Sequence, residues 1–68
     1  MRYAIVIEKT ATGYSAFAPD LPGCIATGDS VEEVEVEMQS AIRFHIDGLK
    51  EDGLPVSQGT SIAEHVEA

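Results

Sequence analysis

The sequence predicts an α+β fold: a three-stranded antiparallel meander, then one long helix packed on the sheet, then a short fourth strand, in the order β-β-β-α-β. Two observations carry this expectation. Short runs of Ile, Val, Tyr, Phe and Ala, punctuated by Gly and Pro, fill residues 3–28. Apolar residues at three- and four-residue spacing then occupy residues 31–49, with start and stop signals at either end.

The first run, "RYAIVIE", places Tyr3, Ile5 and Ile7 on one side and Ala4 and Val6 on the other. Both faces are apolar, so a central strand covered on two sides is expected. "KTATGY" has hairpin composition, and "YSAFA" forms the returning strand. Pro19 ends it, because proline cannot donate to a ladder. Leu21-Pro22-Gly23-Cys24 fits a type II turn, with Pro at its second position and Gly at its third. "CIAT", bounded by Gly28, is the third strand.

Ser30 and Glu33 make a capping box that starts the helix: the hydroxyl accepts from an early amide while the carboxylate reaches back. Glu32, Glu33, Glu35 and Glu37 crowd the positive end of the helix dipole, and Lys50 sits near the negative end. Val31, Val34, Met38, Ala41, Ile42, His45 and Leu49 form the stripe that should face the sheet. Gly53 and Pro55 place the stop near Asp52. The tail reads two ways. Ile62, Glu64 and Val66 alternate as in an edge strand, while Ser61-x-x-Glu64 resembles a helix cap with Ile62 and Val66 on one face. The fourth strand is the preferred reading.

A chain of 68 residues is one domain, spanning 1–68, and removes only about 60% of its unfolded surface from water. One cysteine excludes an internal disulfide and no Cys/His pairing suggests structural zinc, so oligomerisation, as a dimer or tetramer, is the expected source of stability. Val36 and Phe44 fall off the helix stripe and are candidate oligomer contacts. The formal charge of −8 repels phosphate backbones and draws basic partners, so no direct nucleic-acid binding is expected. No apolar run reaches membrane-spanning length and the start lacks a signal peptide's pattern, which predicts a cytoplasmic protein without membrane contact.

No constellation for bond-making emerges, so no catalytic residue, metal ligand or cofactor is expected. Cys24 lies between turn and strand in an acidic chain, conditions that raise a thiol pKa, and is read as a small core residue. "GDS" at residues 28–30 lacks a partnered His and acid, and Ser30 already serves as a cap. His45 and His65 form no local ligand pair, and no phosphate-cradling glycine loop is present.

The long spaced pattern from Gly13-Tyr14 through Pro19-Asp20-Leu21-Pro22-Gly23-Cys24 to Gly28-Asp29-Ser30 and Glu32-Glu33, with a helix closing near "GLKEDGLPV", resembles the HicB-like antitoxin family. The resemblance covers nearly the whole chain. It implies a partial, degenerate ribonuclease H-like fold and an antitoxin that masks HicA, a small basic toxin acting on messenger RNA. Many family members add a C-terminal DNA-binding domain; none is expected here. Within this reading Glu32, Glu35 and Glu37 are the candidate toxin contacts, while Pro19, Pro22, Gly23, Ser30 and Glu33 set the loop and helix start. Two alternatives stand beside it. A hydrolase remnant would depend on Glu8 or Asp20, and a generic oligomeric module would have no toxin partner.

Overall fold

A computed structural model describes all residues, 1–68. Strand β1 spans Val6–Lys9, β2 Tyr14–Phe17 and β3 Ile25–Gly28, followed by helix α1, Val31–Glu51. The strands form one antiparallel sheet in the order β1-β2-β3, so the meander and long helix are as expected. The central strand is β2, not β1. β1 is an edge strand, because residues 54–68 do not pair with it and its outward side chain Val6 remains 39% exposed. Its second apolar face signals an uncovered surface rather than a second packed layer.

The hairpin joining β1 to β2 closes with the Thr10 amide donating to the Gly13 carbonyl at 2.8 Å and the Gly13 amide to the Thr10 hydroxyl at 3.1 Å. The corner between β2 and β3 is the type II turn: the Cys24 amide donates to the Leu21 carbonyl at 3.0 Å, and Gly23 takes φ +83°. Leu21 and Cys24 are buried on either side of the exposed Pro22 and Gly23, so the turn drives two side chains into the core.

Ser30 accepts from the Glu33 amide at 3.1 Å, and the Glu33 carboxylate accepts from the Asp29 amide at 3.0 Å, one residue ahead of the cap itself. The helix ends in a Schellman arrangement: Gly53, at φ +69°, donates to the Lys50 carbonyl and Leu54 to that of Leu49. Val34, Met38 and Ile46 are its buried residues, packed with Ala16, Ala18, Leu21 and Cys24. Tyr3, Ile5, Ile7, Ala41 and Ile42 surround this core; of the expected stripe Val34, Met38, Ala41 and Ile42 pack there, whereas Val31 is exposed, His45 and Leu49 stay outside the cluster, and Ile46, one residue beyond His45, takes the inward position.

The fourth strand does not form. The amides of Thr60 and Ser61, which a strand would offer to its neighbour, instead donate to the Asp20 carboxylate at 3.0 and 2.9 Å. Beyond that point residues 62–68 carry no secondary structure and are exposed.

Candidate interaction surfaces

The helix lies against the sheet face bearing Ile7, Ala16 and Ala26, and its other side faces solvent. On that outer side Val36 is 63% exposed and Phe44 82%. At 3.6 residues per turn they stand about 12 Å apart along the axis and about 80° apart around it, with Ser40 between them. Glu37 and Glu51 each lie two turns from Phe44, and Asp47 one turn, all exposed. The exposed aromatic thus shares one side of the helix with three acids, Asp47 within one turn and Glu37 and Glu51 about 10 Å away along the axis.

The acidic trio Glu32, Glu35 and Glu37 is exposed throughout, but it is not one patch. Glu35 and Glu37 are two positions apart on a helix and point about 160° away from each other. Of the three, only Glu37 lies on the same side of the helix as Phe44, two turns away. The spacing from Phe44 to Asp47 and Glu51 was available in the sequence; the signal overlooked there was the i+3 and i+7 relation to an exposed aromatic.

A second uncovered surface lies on the opposite side of the molecule. Phe17 pairs with Val6 across one ladder and with Ile25 across the other, so the three side chains form one row on the sheet face away from the helix. Their exposures are 39% for Val6, 38% for Phe17 and 69% for Ile25. The neighbouring row, Glu8, Ser15 and Thr27, contains the single acid in the strands.

The residues considered for catalysis are dispersed. Cys24 is buried, and burial pushes its thiol above the ordinary range. Ser30 is held as the cap, and His45 is half-buried on the helix. Glu8 pairs beside Ser15 in the sheet, while Asp20 lies beyond the far end of β2. No group of three His, Cys, Asp or Glu side chains converges. A groove of about 550 Å³ between residues 1–5 and the helix is lined by Tyr3, Ile5, Met38 and Ile46, with Arg2, Arg43 and Asp47 at its rim. No helix is long and apolar enough to cross a membrane.

Asp20 instead binds the chain's own tail. Besides the two amides, it accepts from the hydroxyls of Ser61 at 2.8 Å and Thr60 at 3.3 Å. The Ser61 amide and hydroxyl, and then the Thr60 groups, hold its carboxyl below the usual aspartate range. Nearby, the Tyr3 hydroxyl donates to the Ser57 carbonyl at 2.7 Å, and Gly59 lies so close to the Arg2 carbonyl that a β-carbon there would clash with its oxygen.

Comparison with known proteins agrees with this architecture. Residues 3–68 match the family described as "HicB_like antitoxin of bacterial toxin-antitoxin system". A 14.9 kDa protein from the rep-hol intergenic region of Haemophilus phage HP1 is 38% identical over 97% of this chain and 50% of its own length. A UPF0150 protein of Helicobacter pylori is 38% identical over 91% of this chain and 88% of its own. Antitoxin HicB 2 of Photorhabdus laumondii is 29% identical over 94% of this chain and 49% of its own. The chain therefore spans about half the length of two of these relatives and most of the third. A solved chain of a HicA3 and HicB3 toxin-antitoxin complex superimposes with a TM-score of 0.73 at 31% identity, covering 81% of this chain and 64% of that one. On its sequence pattern, its meander-and-helix architecture and these matches together, the chain belongs to the HicB-like antitoxin family.

Proposed function

We propose that this protein is a cytoplasmic, non-enzymatic antitoxin whose residues 1–68 bind and mask a small basic HicA-type toxin through the outer face of α1. The observation that carries the reading is Phe44, 82% exposed, with Asp47 one turn away and Glu37 and Glu51 two turns away on the same side of the helix. An aromatic anchor on an acidic helix side is complementary to a basic surface with an apolar recess: the anchor slows dissociation and the acids speed association. Glu32 and Glu35 act at longer range, adding to the field that steers the toxin in. The protein works as a homo-oligomer, and its small core supports that: seven of 68 residues are buried.

The similarity to a chain of a HicA3 and HicB3 complex supports the choice of partner. Dispersal of Glu8 and Asp20, with Asp20 engaged by the tail, speaks against a hydrolase remnant.

Calorimetric titration with a HicA-type toxin tests the proposal. Phe44→Ala should weaken binding at least tenfold through faster dissociation. Glu37→Gln combined with Asp47→Asn should slow association and flatten its salt dependence. Absence of binding at low salt would refute the antitoxin role, and full affinity in both variants would refute the assigned face.

A further inference from the structure

We propose that a second copy of this chain covers the open sheet face, and that residues 62–68 of each copy form an arm lying across the Val6–Phe17–Ile25 row of the other. The inference rests on the oligomeric part of the functional reading and names the surface responsible.

Four features lead there. The row is an apolar surface left without an intramolecular partner, at exposures of 39%, 38% and 69%. The arm is another: Ile62 is 83% exposed and Val66 88%. The chain is extended for its size. Its radius of gyration is 12.9 Å, with a long axis of 40 Å, whereas a compact domain of this length has roughly 11 Å. The arm's root is nevertheless fixed. Asp20 holds Thr60 and Ser61, and Ile62 and Ala63 border a recess with Arg2 and Ala4, the latter sharing the strand parity of Val6. The arm thus leaves beside the very face that lacks a cover.

Area decides that both elements take part. An ordinary interface uses roughly 30–40 Å² per residue and a specific one clears about 1,000 Å² in total. The sheet face alone, about seven residues per copy, reaches only about half that total. Adding the seven arm residues of each copy brings the sum to about 1,000 Å².

Geometry and charge fit as well. Residues 62–68 carry no secondary structure in the single chain; wound into two helical turns on the partner's sheet they would span about 10 Å, the width of two strand spacings. With that period Ile62 and Val66 share one side, and Glu64 and Glu67 face away from it. The strands contribute only Glu8 to the covered face, so two copies carrying −8 each meet where their charge is sparsest. The acidic faces of the two helices are left outward for another partner.

Sedimentation equilibrium of the full chain tests this. The wild type should be dimeric at micromolar concentration. Phe17→Glu should raise the dimer dissociation constant at least 100-fold, and Ile62→Glu with Val66→Glu at least tenfold. Phe44→Glu should leave it unchanged while impairing toxin binding, which separates this inference from the masking reading. Should Phe17→Glu lose its circular dichroism, dilution of the wild type followed by NMR replaces it: resonances of Val6, Phe17, Ile25, Ile62 and Val66 should shift together. A monomeric wild type would overturn the proposal. So would a folded Phe17→Glu dimer, an arm variant with wild-type affinity, dissociation by Phe44→Glu, or dilution shifts confined to the helix.

Discussion

Two glycine-to-alanine substitutions should move stability in opposite directions, and the space around each explains why. At Gly28 a β-carbon would stand 2.9 Å from the Val34 amide nitrogen, 3.2 Å from its α-carbon and 3.3 Å from the Glu33 carbonyl carbon. All three atoms are backbone in the first turn of α1, so no side chain can swing aside. Either the helix start lifts from β3 or the Ser30 cap is distorted, and overpacking of this kind costs about 1–3 kcal/mol. At Gly48 a β-carbon meets nothing within 4 Å, and alanine in a helix interior is favoured over glycine by about 1 kcal/mol. A small domain has a urea m-value near 1 kcal/mol/M, so Gly28→Ala should lower the unfolding midpoint by roughly 1–3 M and Gly48→Ala should raise it by about 1 M. Urea titration followed by circular dichroism, at one fixed protein concentration, reads both shifts. A Gly28→Ala protein as stable as the wild type would refute the close approach of helix and strand.

Two further outcomes are expected. Ser30→Ala removes the acceptor for the Glu33 amide and should cost about 1 kcal/mol, visible as a lower thermal midpoint with unchanged helical signal at low temperature. The Asp20 clamp should respond to acid. Its carboxyl sits lower in the folded state than in the unfolded chain, so its contribution is complete above the unfolded aspartate value near 3.9 and is lost as pH falls through the lower folded value. Protection of the Thr60 and Ser61 amides, measured against their intrinsic exchange rates, should therefore persist at about pH 5 and be lost only below the unfolded aspartate value, and Asp20→Asn should show the weakened protection at every pH.

Elements whose signals are local were legible in the sequence. The type II turn needs Pro22 and a glycine with positive φ at residue 23, and the helix needs a cap at Ser30 and a stop at Gly53; each requirement is met by residues adjacent in the chain. What could not be read depends on distant partners. Alternation in "RYAIVIE" reports two apolar faces but not whether the second is covered, hence the central placement expected for an edge strand. The tail's alternation was overruled by Asp20, forty residues away, which takes the amides that a fourth strand would use. The helix period divides the acidic trio: Glu35 and Glu37, two positions apart, point to different sides of α1, so nearness in sequence does not place them on one surface.

Gly13 and Gly28 show how one part of the family pattern follows from packing alone. They fall at opposite ends of the "GY…GDS" stretch, yet Gly28 pairs with Tyr14 across the β2–β3 ladder, and a β-carbon on Gly13 would lie 2.6 Å from the Gly28 carbonyl oxygen. Hairpin, third strand and helix start therefore meet at one point where side chains do not fit. The acids of the pattern have separate work: Asp29 offers its amide to Glu33, and Asp20 holds the tail.

Charge gives the two proposed contacts opposite responses to salt, which allows them to be separated in a single series. Masking a basic toxin brings unlike charges together, so added salt should slow association and weaken that complex. Pairing two copies of formal charge −8 brings like charges together, so the same salt should tighten the dimer. Toxin titration and sedimentation across 50 to 500 mM salt should therefore give affinities that move apart. If both weakened in parallel, the self-contact would have to involve ion pairs, and the sparsely charged sheet face would be the wrong surface for it.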